Sequence, residues 1–543
     1  MPPVDPDKQY WDAIIIGTGM GGATLGYALA RASKKVLFCE QGMATMGPST
    51  IRGRYAESAF DLPEVAQSKH RGVLLRSGRS METIEDASLP RHRCFIPFIG
   101  GGGGGSSALY GMALERFFPC DFTPKVNYQD DTESTLPESW PITYEQLEPY
   151  YAKVEKLFRV RGTVDPMRSD GESASYPQPP ALSPSGDELY QFLTDRGLHP
   201  YRLPLACEFV PGCECCQGYL CARDCKNDSS RICLAPALEQ FGAQLLDECE
   251  VLKLEADKKS VTGVVCSWRG QAVTLRGALV VLAAGALRSP AILLNSASPI
   301  WPNGLANDSG LVGKNLMRHL IDLYVVFPKT ARQYSPMKEL AFNDFYRIDG
   351  EKFGSVQTFG AMPPAEIITA ALEQQLAESS VPFAASIFRC LRPLADSALS
   401  RLFAGKTILA TILEDLPYDD NQVNIVKSRE MGRPRLILKY RITEYDRRRI
   451  DRFRKRVRAA LKSYRVLPIK QAENNERIAH ACGTCRFGSD PATSVLDPMN
   501  RAHGVTNLYI VDGSFFPSSG GINPALTIAA NALRVGDYLT HAL

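Results

Sequence analysis

At 543 residues, with 44% hydrophobic and 22% charged side chains, the chain has an ordinary globular composition and is too long for one core, so two large domains are expected. A formal net charge of +3 with dispersed Lys and Arg argues against a nucleic-acid footprint, and the longest apolar run, 278–287, gives way to Arg288 well short of a membrane span. Fifteen cysteines, in a chain whose first ten residues are polar and proline-bearing rather than signal-like, predict a reducing compartment; cytoplasm is expected, with export only if a signal-bearing partner carries the chain.

The first recognisable unit runs from Trp11 to Gly42. Ala13–Ile16 is a short apolar run, the pattern of a strand buried on both faces. Gly17, Gly19 and Gly22 then fit G-x-G-x-x-G and open a helix rich in Ala and Leu. The first glycine permits a tight turn, the second lets backbone approach a pyrophosphate, and the third lets helix pack on strand. A second strand, 35–39, ends in Glu40, which is placed to accept from a ribose hydroxyl and would repel a 2′-phosphate. Strand, glycines, helix, strand and acid in that order point to FAD or NAD rather than to a glycine-rich turn alone.

Residues 42–93 are mixed and loop-rich, and six consecutive glycines start at Gly100. Such a run holds no regular structure without cost. Apolar segments flank it closely and Ser106, Ser107 and Met112 follow, so backbone lying against a flat ligand explains it better than a flexible linker. Thr143–Arg159 reads as an amphipathic helix with Thr143 and Gln146 spaced as a capping box, broken or kinked after its first turn by Pro149. Residues 163–184 read as a polar loop, and 207–233 are dense in cysteine. Residues 245–275 alternate as a β-meander, and a buried strand at 278–284 leads into a second glycine–helix turn at Gly285. From Leu320 to about Tyr440 short alternating strands predict an antiparallel sheet, with one helical piece at 367–378. Thr443–Leu467 reads as one long basic helix, its run Arg447–Arg458 forming a solvated face. A strand at 508–512 and a helix starting near Pro524 close the chain.

Four segments together resemble the glucose–methanol–choline (GMC) family of FAD-dependent oxidoreductases. They are Gly17–Glu40, the stretch G-G-S-S-A-L-Y-G-M from Gly104, the stretch G-A-L-R-S-P from Gly285, and a C-terminal block. That block reads H-A-C-G-T-C-R-F-G from His480, V-D-G-S-F-F-P from Val511 and G-I-N-P-A-L-T-I from Gly521. The resemblance implies an α/β (α+β) fold: a Rossmann-like FAD-binding domain assembled from discontinuous segments, plus a substrate domain on an antiparallel sheet. The FAD domain would take residues 1–120, 231–319 and 471–543, with a cap and cysteine-rich segment at 121–230 and the substrate domain at 320–470. It further implies that His480 and Asn523 stand over the flavin ring, His480 taking the alcohol proton as hydride leaves for flavin N5 and Asn523 orienting the hydroxyl. Asn523 also precedes Pro524 as a helix cap would. Gly17, Gly19, Gly22, Glu40, Gly104, Ser106, Ser107, Tyr110, Ala284, Asp512 and Pro524 are the implied cofactor contacts. Asp512 falls near the ribityl chain, while Tyr110 stands where many members have Asn, which implies a different ring environment. His319, in a segment that recurs in the family, reads as structural or supporting.

Seven cysteines lie between Cys207 and Cys233, and three readings of them stay open. Packed or redox-labile thiols need no ligand; zinc prefers paired C-x-x-C knuckles, which this spacing lacks; an iron–sulfur cluster needs three or four thiolates on a loop. The set Cys215, Cys216, Cys221 and Cys225 is similar to the segment that holds a [3Fe–4S] cluster in bacterial FAD glucose dehydrogenases, which implies Cys221, Cys225 and one of the adjacent pair as ligands. The expected activity is oxidation of an alcohol group, of a sugar, polyol or similar molecule, with electrons passed to a quinone, cytochrome or other redox protein. The alternative is an oxidase that uses O2 on an aromatic or aliphatic primary alcohol. Neither nucleic acid nor a membrane span enters this reading.

Overall fold

The computed structural model describes residues 8–542 except 45, 46, 48, 60–67, 91, 170–174, 331–334, 378–382, 428–432 and 479. The start of the polar N-terminal stretch, part of the loop expected at 163–184 and the expected end of a helical piece at Glu378 lie outside the described residues.

Strand β1 (Tyr10–Ile16), helix α1 (Met20–Arg31) and strand β2 (Val36–Cys39) form a parallel βαβ unit, with Ala13 opposite Val36 and Ile16 opposite Cys39. β2 is buried along its whole length, as its uninterrupted apolar sequence requires. Six strands form a path in the order Gln244–Leu246, β2, β1, Gln271–Leu282, Val261–Trp268 and Cys249–Ala256; Leu508–Ile510 joins as a seventh by pairing with Gln271–Leu282. The strand Gln271–Leu282 does two jobs. Its first half is antiparallel to Val261–Trp268 across an Arg269-Gly270 turn with both φ positive, the conformation that a two-residue hairpin of the right twist needs. Its second half runs parallel to β1 and ends beside it, so α1 and the helix Gly285–Asn295 both start at the carboxyl edge of neighbouring strands.

A second, antiparallel sheet of six strands has the order Arg465–Ile469, Leu320–Phe327, Thr407–Leu413, Gly354–Thr358, Leu340–Phe342 and Tyr201–Arg202. It has its own buried cluster, with Leu320, Val326, Phe342, Val356, Leu409 and Phe453 among the members. The fold is thus mixed α/β with a nucleotide-type sheet and a separate antiparallel sheet.

Four sequence expectations change. The helix Tyr144–Leu157 runs through Pro149 without ending. Pro149 sits close to the amino end, and buried Tyr144, Leu147, Tyr151 and Val154 hold the helix against the core. The basic helix covers Glu444–Ala460 and stops there; Leu461 and Tyr464 turn into the core, and Arg465–Ile469 becomes an edge strand on Leu320–Phe327. Its basic run is not all solvated: Arg449 is fully buried and Arg454 reaches Asp322 and Glu473. A helix at Phe383–Phe403, in a stretch read only as strands, packs against Ala365–Ala377.

Candidate active site

The glycine run is packed backbone, not linker. Gly103 N–H donates to Met43 O, Gly104 N–H to Thr18 Oγ1, and Gly101 N–H to Gly78 O. A Cβ on Gly42 would collide with Gly101 O, and one on Gly105 would come within 3.0 Å of Gly19 Cα. Two glycine segments therefore meet with no room for side chains between them. Gly19 and Gly285 differ: a Cβ on either meets nothing within 4 Å. Gly19 is the residue before α1, has no side-chain cap and is followed by no acid in the first turn, so the helix start offers unneutralised N–H groups. These features fit a dinucleotide, whose pyrophosphate needs bare backbone and a helix N-terminus.

The other expected cofactor residues lie on or beside the same segments. Glu40 is buried and accepts from Thr18 N–H (3.0 Å), Thr18 Oγ1 (2.6 Å) and Gly42 N–H (3.2 Å), while burial raises its carboxyl above the ordinary range. Ser106 is exposed and Ser107 is buried against Gly104 O and Ser229. Asp512 accepts from Gly285 N–H, Ser289 Oγ, Ser514 N–H and Ser514 Oγ, so its carboxylate ties the C-terminal block to the helix at Gly285 rather than standing open. Ala284 precedes that helix and donates its N–H to Ser289 Oγ. Tyr110 turns its hydroxyl to Asn227 O, 2.6 Å away.

His480 is brought into place by a short antiparallel bridge. Met317 and Cys482 exchange both backbone hydrogen bonds, which sets His319, two residues on, opposite His480, two residues back. The two Nδ1 atoms are 2.7 Å apart, and His319 Nε2 is 2.9 Å from Gly520 O. A carbonyl only accepts, so His319 carries its proton on Nε2. Burial lowers His319 to about 4, which keeps it neutral, with Nδ1 as an acceptor. His480 must therefore donate from Nδ1, and its Nε2 is left as a lone pair. Burial first, then His319 and Lys338, push His480 well below the ordinary histidine range. His480 also holds φ at 61°, a left-handed conformation that residues other than glycine adopt at a cost, as is common where function fixes a side chain.

Asn523 is buried on the turn that follows Gly520 and leads through Pro524 into the helix Ala525–Ala542. Its Oδ1 accepts from Gln357 Nε2 at 3.1 Å, which leaves its NH2 for a ligand oxygen. The same turn is anchored from behind. Gly520 N–H donates to Glu414 Oε1 (3.1 Å) and Gly521 N–H to Tyr346 Oη (3.0 Å). Behind these, fully buried Lys352 makes ion pairs with both Asp121 and Glu414. Arg449 donates to Glu414 O and pairs with Asp446. Against the burial that would lower it, the two carboxylates hold Lys352 above the ordinary lysine range. Gln357, Lys352, Asp121 and Glu414 went unread in the sequence, since no spacing links positions 121, 352, 357 and 414; His319 was noted only for its segment.

The structure adds two sulfurs to the four expected from the sequence. Cys207, Cys213 and Cys225 form one compact set, with Sγ distances of 3.7 Å from Cys207 to Cys213 and 3.2 Å from Cys213 to Cys225. Cys221 lies 3.5 Å from Cys225, and Cys216 packs with these two. Cys215 joins from the Cys207 side, its thiol interacting with both Cys207 and Cys213, and shares a buried cluster with Met112 and Leu205. Cys207 and Cys213, outside the expected ligand set, thus stand beside it, while Cys215 and Cys216 remain in contact with it. Buried Lys226 beside them donates to Ala108 O and Tyr219 O. Another set, Cys39, Cys249 and Cys266, lies within the first sheet.

Family models described as GMC oxidoreductase match residues 195–321 and 417–532. The chain is 30% identical over 548 residues to 6'''-hydroxyparomomycin C oxidase of Streptomyces lividus, which covers 97% of this chain and 90% of that protein. It is 28% identical to 2-methyl-1,2-propanediol dehydrogenase of Mycolicibacterium austroafricanum, with 97% and 95% covered. Among solved structures, pyridoxine 4-oxidase from Mesorbium loti superposes with a TM-score of 0.64 at 20% identity, covering 98% and 99% of the two chains, a likeness of fold. GMC oxidoreductases bind FAD, and the side-chain-free opening at Gly19 and Gly285 suits it. With a full-length relative at this identity and both family models in place, the chain belongs to the GMC oxidoreductase family.

Proposed function

We propose that the protein is a FAD-dependent dehydrogenase that oxidises an alcohol group of a sugar, polyol or similar hydroxylated small molecule to a carbonyl, with His480 as the base. The observation that carries this reading is the hydrogen-bonded series from Gly520 O through His319 to His480, which leaves an unprotonated Nε2 on His480. A carbinol carbon releases hydride readily only as its O–H proton departs, so a neutral base within reach of that proton is what the reaction requires. Asn523, fixed by Gln357, orients the hydroxyl oxygen through its NH2. The anchored turn at Gly520 keeps the acceptor for His319 in place, so the tautomer of His480 is set before substrate arrives. Gly17, Gly19, Gly22, Glu40, Gly104, Ser106, Ser107, Tyr110, Ala284, Asp512 and Pro524 would hold FAD, which supplies the two-electron acceptor when bound. The names of the relatives, an aminoglycoside oxidase and a diol dehydrogenase, favour a substrate with several hydroxyls.

We further propose that three thiolates of this group, Cys221 and Cys225 with one from Cys207, Cys213, Cys215 or Cys216, hold an iron–sulfur cluster of the [3Fe–4S] type, a one-electron acceptor that takes one thiolate per iron. Support comes from the donor set: Cys207, Cys213, Cys225 and Cys221 are linked in series by sulfur contacts of 3.2 to 3.7 Å, and Cys215 and Cys216 touch this series. An external redox partner would then reoxidise the enzyme.

Anaerobic purification with absorption and low-temperature EPR spectra tests both parts. Flavin bands with a broad brown shoulder and a [3Fe–4S] signal are expected. Flavin bands alone, with rapid bleaching by alcohol and rapid recolouring in air, would favour an O2-using oxidase. His480→Ala should retain FAD but slow anaerobic flavin bleaching by alcohol about 10²–10⁴-fold; bleaching at the wild-type rate would remove His480 from the mechanism.

A further inference from the structure

We propose that Lys338 and Gln217 form a subsite beside His480 that takes a carboxylate of the substrate, so that the alcohol oxidised here is a hydroxy acid. This rests on the reading of His480 as the base.

Three lysines are buried among the described residues, and their surroundings differ. Lys352 lies between two carboxylates and Lys226 donates to two backbone carbonyls. Lys338, just ahead of the strand Leu340–Phe342, is only 9% exposed and has no ion pair or hydrogen bond from its ammonium group among the described residues. A buried cation without an anion in contact is costly, and it persists where a ligand completes the site. Burial brings Lys338 down only to about 8, with Glu115 and then Cys215 opposing the shift, so it stays positive at neutral pH.

The second element is Gln217, whose Oε1 is buried and without a hydrogen-bond partner. A Cβ built on Gly111 would lie 2.5 Å from Gln217 Oε1, 2.5 Å from Lys338 Cε and 2.8 Å from Lys338 Nζ. Both polar ends therefore converge on the bare α-carbon of Gly111, in the segment that leaves the glycine run. Either end of the Gln217 amide can face that point, and the NH2 end complements a carboxylate as the ammonium group does. The subsite is coupled to the reacting centre, Lys338 being among the groups that hold His480 low. The strand that Lys338 leads into pairs Ala341 with Gln357, the residue that fixes Asn523. A carboxylate gripped by Lys338 would thus leave a nearby hydroxyl to His480 and Asn523. A polycationic aminoglycoside would meet an unneutralised charge of its own sign.

Three probes of one length separate the charges: 4-hydroxybutanoate, 1,4-butanediol and 4-amino-1-butanol. Each is titrated into FAD-loaded His480→Ala protein, and binding is read from perturbation of the flavin absorption, which needs no turnover. The hydroxy acid should bind at least about tenfold tighter than the diol, and the amine weakest. Lys338→Met should abolish the preference and leave diol binding unchanged, while Lys338→Arg should retain it. Equal binding of the three probes overturns the proposal. So does a Lys338→Met variant that weakens diol and hydroxy acid alike, or one that lowers iron content without changing the preference, since Lys338 would then serve the protein or the thiols. The order of the probes stands as a test if the Met variant does not fold. If flavin is bleached at the wild-type rate in the His480→Ala protein, the base assignment fails, and the same charge order is then read from KM.

Discussion

Two buried regions of the molecule are built from different materials. Around Gly17, Gly42 and Gly100–Gly105 the chain packs backbone on backbone, and the hydrogen bonds run from main-chain N–H groups of the glycine run to Met43 O, Gly78 O and Thr18 Oγ1. Behind Gly520–Asn523 the chain packs charge on charge: Lys352, Asp121, Glu414, Arg449 and Asp446, each from a different place in the sequence or from a different turn, hold the loop through its N–H groups. The first region is shaped to leave a groove, the second to leave none. A backbone groove tolerates the absence of its ligand, since its N–H groups reach water; a closed set of charges tolerates the loss of none of its members.

The sharpest way to break that contrast is to remove the cation of the closed set. Lys352→Met leaves Asp121 and Glu414 buried with their central partner gone, and should cost about 3–5 kcal/mol in equilibrium urea unfolding. Adding Asp121→Asn and Glu414→Gln should restore part of the loss, because the remaining groups are then neutral. A Lys352→Met variant as stable as the parent would mean that the network is not closed.

A pair of glycine substitutions sharpens the other side. Gly42→Ala places a methyl group into Gly101 O and should cost about 1–3 kcal/mol, with FAD retention falling as the two segments separate. Gly19→Ala has room, with φ at −65°, and should leave unfolding of the FAD-free protein unchanged while weakening FAD binding. Equal loss of stability in both would show that Gly19 faces packed protein and not a ligand groove. Urea unfolding and flavin content per chain read both arms.

The same difference in material explains what could be read in advance. The βαβ unit, the glycine segments and the C-terminal block are legible because each is local: a strand, a turn that only glycine makes, a helix start. His480 and Asn523 came with their motifs. The bond between His480 and His319 did not, because it depends on the bridge between Met317 and Cys482, and nothing local announces that register. Lys338, Gln357 and the Lys352 cluster were invisible for the same reason. At Pro149 and at the end of the basic helix local propensity points the wrong way, because packing of Tyr151, Val154, Leu461 and Tyr464 decides there. Among the cysteines, spacing points to Cys215, Cys216, Cys221 and Cys225, and the chain's turns bring Cys207 and Cys213 to Cys225 as well, which no spacing announces.

The helix Tyr144–Leu157 joins the two kinds of region, and it offers the smallest effect. Its side chains Arg116-paired Glu155 and Tyr151 reach inward, Tyr151 Oη sharing a 2.8 Å hydrogen bond with Thr527 in the helix that follows Asn523. Thr143 caps it by accepting from Gln146 N–H, while Gln146 Oε1 accepts from Thr143 N–H. Pro149 has already removed one interior donor from the helix, so the amino end is where its backbone bonds are fewest. Thr143→Ala should therefore cost about 1 kcal/mol in urea unfolding. Thr143→Ser, which keeps the acceptor, should cost less. Activity should follow stability and nothing more, since the cap touches neither His480 nor Asn523. A fall in the rate of flavin bleaching out of proportion to the loss of stability would mean that this helix positions the Asn523 turn through Tyr151 and Thr527, and the closed region would then extend one element further than its charges.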